Sequence, residues 1–157
     1  SGFDGGVTTS TQGRVYLAFL FAIETAMRAG EICKLEWSMV EKEKRTASLP
    51  GAITKTGRGR DVALSTRAVQ LLELLPPTTK AGCFGMTSVQ LDPLFRKLKQ
   101  KAAIEGLNFH DTRHEAITRL AKKMPVLALA RNVGHSDINQ LMTYYNEPAE
   151  NLARLLD

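Results

Sequence analysis

The chain has 157 residues, 43% of them hydrophobic and 24% charged, which suits one compact domain with a real core and leaves little room for a second. The longest apolar run, Val15 to Ile23, stops at Glu24 and Thr25. It falls short of the roughly 18 residues of a membrane span, and no signal-peptide pattern opens the chain, so a cytoplasmic protein without a membrane partner is expected. Net charge is +5, from 21 Lys and Arg against 16 Asp and Glu, and it is unevenly placed. Segment 41–67 carries seven basic and three acidic residues and 96–123 carries eight and three, whereas 137–157 has Arg154 against four acids. Two basic segments could form one face that tracks a phosphate backbone; lysines solvated on helix surfaces are the plainer alternative. Cys33 and Cys83 lie 50 residues apart without zinc spacing, which fits reduced thiols filling a core.

Residues 1–14, rich in Gly, Ser and Thr with no apolar period, read as a linker or cloning remnant, and the folded domain is expected over 15–157. From Val15 to Met27 the chain is apolar on nearly every side, which predicts a buried central helix. The pattern breaks at Arg28-Ala29-Gly30, and a short amphipathic piece, Glu31 to Leu35, follows. Between Trp37 and Ser65, short runs of Val, Thr, Ile and Leu alternate with turn-like clusters, which predicts three short antiparallel strands. Thr66 to Leu75 has helical spacing and ends before Pro76-Pro77. Beyond it, helices are expected over about 89–105, 112–123, 125–132, 137–145 and 148–156. The order gives a mainly α protein with a small three-stranded antiparallel sheet.

Several residues in this frame are not explained by a core. Thr112 and Glu115 have capping-box spacing, so a helix should start there. Arg113 lies four residues before Ile117 and points along the apolar stripe. An inward guanidinium is costly unless it is paired or holds an anion, and a helix's first turn favours phosphate; pairing with Glu31 or Asp111 is the alternative. Arg28, directly after the central helix, poses the same question. His110 and His114 stand four apart, but Asp111 occupies the place where a metalloprotease needs Glu and no nearby Cys completes a zinc set, so no metal is expected. Ser136 is a candidate N-cap, after which Ile138, Leu141, Met142 and Tyr145 fall on one face. That makes Tyr145 a core residue and leaves Tyr144, about 100° round the axis, the freer phenol.

Together these stretches resemble the signature of the tyrosine recombinases of phage-integrase type, from about Leu17 to Asn146. Thr25-Ala26-Met27-Arg28-Ala29-Gly30-Glu31-Ile32 is similar to the family's T-x-x-R-x-x-E-I/L element. Lys55-Thr56-Gly57-Arg58-Gly59-Arg60-Asp61-Val62-Ala63-Leu64 resembles its β-hairpin. His110-Asp111-Thr112-Arg113-His114 resembles H-D-L-R-H, Val133-Gly134-His135-Ser136 resembles L-G-H-S, and Tyr144 lies nine residues after His135, the family's spacing. The resemblance implies the catalytic-domain fold of DNA breaking and rejoining enzymes and site-specific recombination or integration through a 3′-phosphotyrosyl link. In it Tyr144 is the nucleophile, Arg28 and Arg113 hold the phosphate oxygens, and Lys55 protonates the departing 5′-oxygen. His110 moves the tyrosine proton and His135 donates to the phosphate.

Glu31 and Asp111 would support the arginines, Arg58 and Arg60 would face the DNA, and neither a metal nor a nucleotide cofactor is implied. The implied partners are double-stranded DNA and further copies of the protein in a tetrameric synapse. The N-terminal core-DNA-binding domain of full-length members is expected to be missing from this chain. A catalytically silent DNA-binding module of the same fold and a type IB topoisomerase are the competing readings.

Overall fold

The structure, a computed structural model, describes residues 3, 4, 7–77 and 82–157. The apolar run after Arg14 forms the expected central helix, but the helix begins earlier. Helix α1 spans Thr11–Thr25, with Ser10 Oγ accepting from Gly13 N at 3.0 Å. The expectation that folding starts at Val15 is corrected here, although residues 1, 2, 5 and 6 of that segment lie outside the described residues. Phe3–Asp4 (β1) pairs with Val7–Thr8 (β2), and Thr8 N donates to Leu74 O at 2.6 Å. Arg14 Nη1 donates to the carbonyls of Phe84 at 2.9 Å and Gly85 at 2.8 Å. A polar start to a helix carries no apolar period, so its boundary is invisible to that signal.

Helix α1 ends abruptly. Thr25 Oγ1 donates to Phe21 O at 2.8 Å and accepts from Met27 N at 3.2 Å, while Ala26 takes the left-handed conformation at φ 57°. For an alanine that conformation costs on the order of 1–2 kcal/mol. The sharp turn launches helix α2, Ala29–Lys34, with Arg28 at its N-cap. A single 3₁₀ turn at Trp37–Met39 leads into the three-stranded antiparallel sheet, β3 (Val40–Glu41), β4 (Thr46–Leu49) and β5 (Arg60–Ala63), ordered β3-β4-β5. Ala47 pairs with Val62 in the register, and both are buried.

Helices α3 (Thr66–Glu73), α4 (Ser88–Lys101), α5 (Asp111–Ala121), α6 (Val126–Val133), α7 (Ile138–Met142) and α8 (Ala149–Arg154) complete the fold. Among the described residues no helix is long and apolar enough to cross a membrane.

Two capping expectations are corrected. Helix α5 starts at Asp111 rather than at Thr112, and its entry is closed by a reciprocal pair: Asn108 N donates to Asp111 Oδ2 at 3.1 Å and Asp111 N donates to Asn108 Oδ1 at 3.0 Å. Thr112 Oγ1 instead donates to Phe109 O at 2.6 Å. Helix α7 is capped by Asp137, whose Oδ1 accepts from Asn139 N at 3.0 Å, and not by Ser136.

The buried apolar residues fall into two clusters. The larger takes Val15, Leu17, Ala18, Phe21 and Ala22 of α1 together with residues of α2, the sheet, α3 and α4. The smaller joins Ala26 to Ala116 and Ile117 of α5, Leu129, Ala130 and Val133 of α6, and Leu141 of α7. Cys33 and Cys83 are both buried and unpaired, and burial pushes their thiols up to about 11 and about 12. They are inert fillers, as expected.

One polar weld ties the sheet to the smaller cluster: buried Asn132 of α6 accepts the Ala63 N–H through Oδ1 at 2.8 Å. Asn132→Ala leaves that strand N–H without its partner and is expected to lower stability by about 1–3 kcal/mol, read as a lower urea midpoint with unchanged slope.

Candidate active site

The two clusters meet where α1 turns into α2, and charged side chains line the seam. Arg113, in the first turn of α5, is 9% exposed, as the inward stripe required. Its partners are main-chain carbonyls. Nη1 donates to Ala26 O, and Nη2 to Val133 O at 3.2 Å. The guanidinium thus bridges the end of α1 and the end of α6. Burial first, then the positive charge of Arg28, lower its pKa to about 10, against opposing pulls from Glu31 and Tyr144. It stays charged at neutral pH.

Glu31 is the buried carboxylate of the seam, 1% exposed. Oε1 accepts from Arg28 N at 3.0 Å, which closes the first turn of α2. Both carboxylate oxygens are also gripped by Arg60, Nη1 to Oε2 at 2.6 Å and Nη2 to Oε1 at 2.8 Å, while Arg60 Nε donates to Asn132 O at 3.0 Å. Arg60, expected to face DNA, has a buried side chain with three of its N–H groups committed to Glu31 and Asn132, and it also borders the open groove beside His135. The expectation for Asp111 is corrected, since its carboxylate holds the α5 entry and not an arginine. Burial on its own would raise the Glu31 pKa, but the hydrogen bonds from Arg60 and from the Arg28 N–H, with both guanidinium charges, bring it below the ordinary value.

With Glu31 taken by Arg60, Arg28 is left underpartnered. Its Nη1 stands 3.7 Å from Glu31 Oε2, too far for a hydrogen bond, and is buried with no acceptor. His135 Nδ1 is also buried and lacks a well-formed hydrogen bond, the ring having only a weak main-chain contact at Asp137. Burial first, then the charges of Arg113 and Arg28, lower the His135 pKa, so its ring is neutral at neutral pH. Gly134 before it sits at φ 71°, where a Cβ would come within 2.9 Å of Arg60 Nη1 and 3.0 Å of Cδ. The glycine is thus required both by its backbone conformation and by the ion pair it leaves room for.

Tyr144 and Tyr145 follow α7 instead of continuing it, because the helix ends at Met142. The expected core position of Tyr145 is corrected: both rings are half-buried against the smaller cluster. What separates them is the hydroxyl partner. Tyr145 Oη donates to Met124 O at 2.8 Å, whereas Tyr144 Oη lies 2.7 Å from His114 Nδ1. His110 lines a pocket of about 180 Å³ with Arg113, Met27 and Ala29, and its ring centroid lies 6.1 Å from that of His114. The contact that sequence reasoning missed is the one to His114, and no local spacing could have revealed a pair 30 residues apart.

Lys55 is exposed on the β4–β5 connection, in the turn over residues 54–57 that Thr54 Oγ1 braces by donating to Arg58 O at 2.8 Å. No described contact ties it to the arginines. Arg58 lines one wall of an open groove of about 860 Å³, with Thr56 and Gly59; Arg131, His135 and Ser136 line the other. Arg131, exposed on α6, is a cation that the sequence reading did not single out.

This arrangement can be compared with known proteins. The model of the Phage integrase family matches residues 7–151. A Haemophilus influenzae protein assigned to the integrases and recombinases is 50% identical over 94% of this chain and 49% of its own length. The shufflon-specific DNA recombinase of Escherichia coli is 36% identical over 100% of this chain and 44% of its own length. The chain thus spans about half the length of these relatives. Among solved structures, the Tn1549 transposon integrase in complex with transposon right end DNA superposes with a TM-score of 0.72 at 22% identity, over 92% of this chain and 59% of that one. XerA recombinase gives 0.66 at 20% identity, over 91% and 57%. Identities this low speak for the fold.

Glu31→Gln removes the charge that holds Arg60 in the interior and is expected to cost about 3–5 kcal/mol at neutral pH, with much of the loss recovered in Glu31→Gln/Arg60→Met. Because the folded pKa of Glu31 is depressed, its contribution is complete above the ordinary carboxylate range and fades as pH falls through the folded value. The wild-type Tm should therefore drop more steeply on acidification than that of the double variant.

Proposed function

The chain belongs to the phage integrase family, and from that premise we propose that it is a catalytic domain that breaks and rejoins DNA for site-specific recombination, with Tyr144 as the nucleophile. One observation carries the reading. Three guanidiniums, those of Arg28, Arg60 and Arg113, surround the single carboxylate of Glu31, and that carboxylate is engaged by Arg60. The positive charges exceed the negative by two in a partly buried site, beside an Arg28 N–H with no partner and the buried Nδ1 of His135. A buried site of this kind calls for an anion.

The magnitude of the excess favours chemistry over binding. A phosphodiester carries one negative charge, and a phosphorane-like transition state formed by a phenolate carries two. Two uncompensated guanidiniums match the transition state better than the ground state, which is the condition for catalysis. In the proposed step Tyr144 Oη attacks phosphorus and the bond to the 5′-oxygen breaks. That oxygen takes a proton from Lys55, brought in from the exposed β4–β5 connection, and the phenolic proton passes to an imidazole. The product is a 3′-phosphotyrosyl ester with a free 5′-hydroxyl, and religation is the reverse. Arg28 and Arg113 hold the non-bridging oxygens, His135 donates to one of them, and Glu31 keeps Arg28 in place through its main-chain N–H.

The groove walled by Arg58 and Arg131 provides a path for the duplex leading up to His135. Exchange between two duplexes calls for several protomers assembled on DNA, in the cytoplasm of the host. A silent binding module would need this groove but not a phenol seated on an imidazole.

The test is a nicked suicide duplex that traps the covalent adduct. Wild type should form a denaturation-resistant adduct, Tyr144→Phe none, and Tyr145→Phe should retain it. Arg113→Ala should slow its formation by about 10²–10³-fold, the usual loss of one fixed transition-state donor. An adduct that survives in Tyr144→Phe and disappears in Tyr145→Phe would move the nucleophile to the neighbouring phenol.

A further inference from the structure

We infer that His114 is the base that takes the proton of Tyr144 directly. The inference rests on the proposed role of Tyr144 as nucleophile and adds the residue that activates it. Tyr144 Oη and His114 Nδ1 are 2.7 Å apart, with ring centroids at 6.5 Å. That length is normal for an O–H···N hydrogen bond. A neutral imidazole protonated at Nε2 presents Nδ1 as the acceptor, and His114 is exposed, so Nε2 can pass a proton on to water. The neighbouring phenol offers a contrast within the same turn. Tyr145 Oη donates to a main-chain carbonyl, a group that accepts a hydrogen bond but takes no proton at any working pH.

The other two histidines are placed for different work. His110 stands edge-on to His114, centroids 6.1 Å apart, and shares its pocket with Arg113, which puts it on the phosphate side of the site. His135 is turned toward the arginines, whose charges oppose its protonation. Tyr144 from the turn after α7 and His110 from the N-cap of α5 are the titratable side chains found against the His114 ring. His114 also follows Arg113 directly on α5, so the base and the phosphate clamp share one rigid helix.

The step balances without a co-reactant. As the Tyr144 oxygen bonds to phosphorus, its proton moves to His114 Nδ1, and the 5′-oxygen leaves with the proton of Lys55. In religation each proton returns by the same route.

His114→Asn keeps a polar atom near the position of Nδ1 but cannot accept a proton. With the nicked suicide duplex, we expect adduct formation about 10²–10³-fold slower, within the range for loss of a general base. Duplex affinity should be unchanged, and the rate should keep rising with pH where the wild type has levelled off. In the 15N spectrum of the imidazoles, Tyr144→Phe should shift the His114 Nδ1 resonance while leaving that of His110 near its wild-type position. Adduct formation by His114→Asn within about threefold of wild type and with the wild-type pH profile, while Tyr144→Phe is dead, would overturn the inference and leave the catalytic reading standing. So would an unmoved His114 resonance. An adduct that forms in Tyr144→Phe, or none from wild type, would overturn both.

Discussion

The buried ion pair between Glu31 and Arg60 governs the rest of this protein. Burying a carboxylate and a guanidinium together costs several kcal/mol of solvation for each, offset only when the geometry is close to ideal and the remaining hydrogen-bonding capacity is filled. Here most of it is used: Arg60 forks onto both oxygens and donates from Nε to Asn132 O, and Glu31 accepts the Arg28 N–H as well. The pair thereby locks α2, β5 and α6 into one arrangement, and Gly134 leaves the space it occupies. By engaging both carboxylate oxygens, it also leaves Arg28 with only a long 3.7 Å contact to Glu31 and Arg113 with main-chain partners alone. The structural lock and the anion site beside it are therefore linked through Glu31.

The backbone supplies the complementary constraint. Thr25 and Ala26 end α1 with a hydroxyl cap and a left-handed residue, which divides the apolar interior between two clusters and opens the seam between them. Arg28 enters that seam from one side, and Arg113 and His135 from the other. The phenol comes last, on a turn that follows a five-residue helix.

The parts of this arrangement that obey a local period were legible in the sequence. The apolar run marked the central helix, and the spacing of Arg113 from Ile117 placed the guanidinium inward. What depended on partners far along the chain was not legible. Arg60 looks like any basic residue of a hairpin until Glu31, 29 positions earlier, is brought against it. His114 looks like a helix-surface residue until Tyr144 arrives. The helical face that favours Tyr144 over Tyr145 does not exist, because α7 stops at Met142; the nine-residue spacing from His135 is unaffected, and the two phenols differ in what their hydroxyls meet. Caps failed for a related reason. Ser136 and Asp137 are adjacent candidates of equal chemistry, as are Thr112 and the Asn108–Asp111 pair, and the path of the chain entering each helix decides between them.

The partners of Arg113 have a bearing on how this protein tolerates change. Because its guanidinium is held by the carbonyls of Ala26 and Val133, no exchange of side chain at either position can delete its hydrogen bonds. Its vulnerability lies in backbone shape alone. A β-branched residue at position 26, which resists the left-handed turn, would shift the carbonyl that Arg113 Nη1 holds.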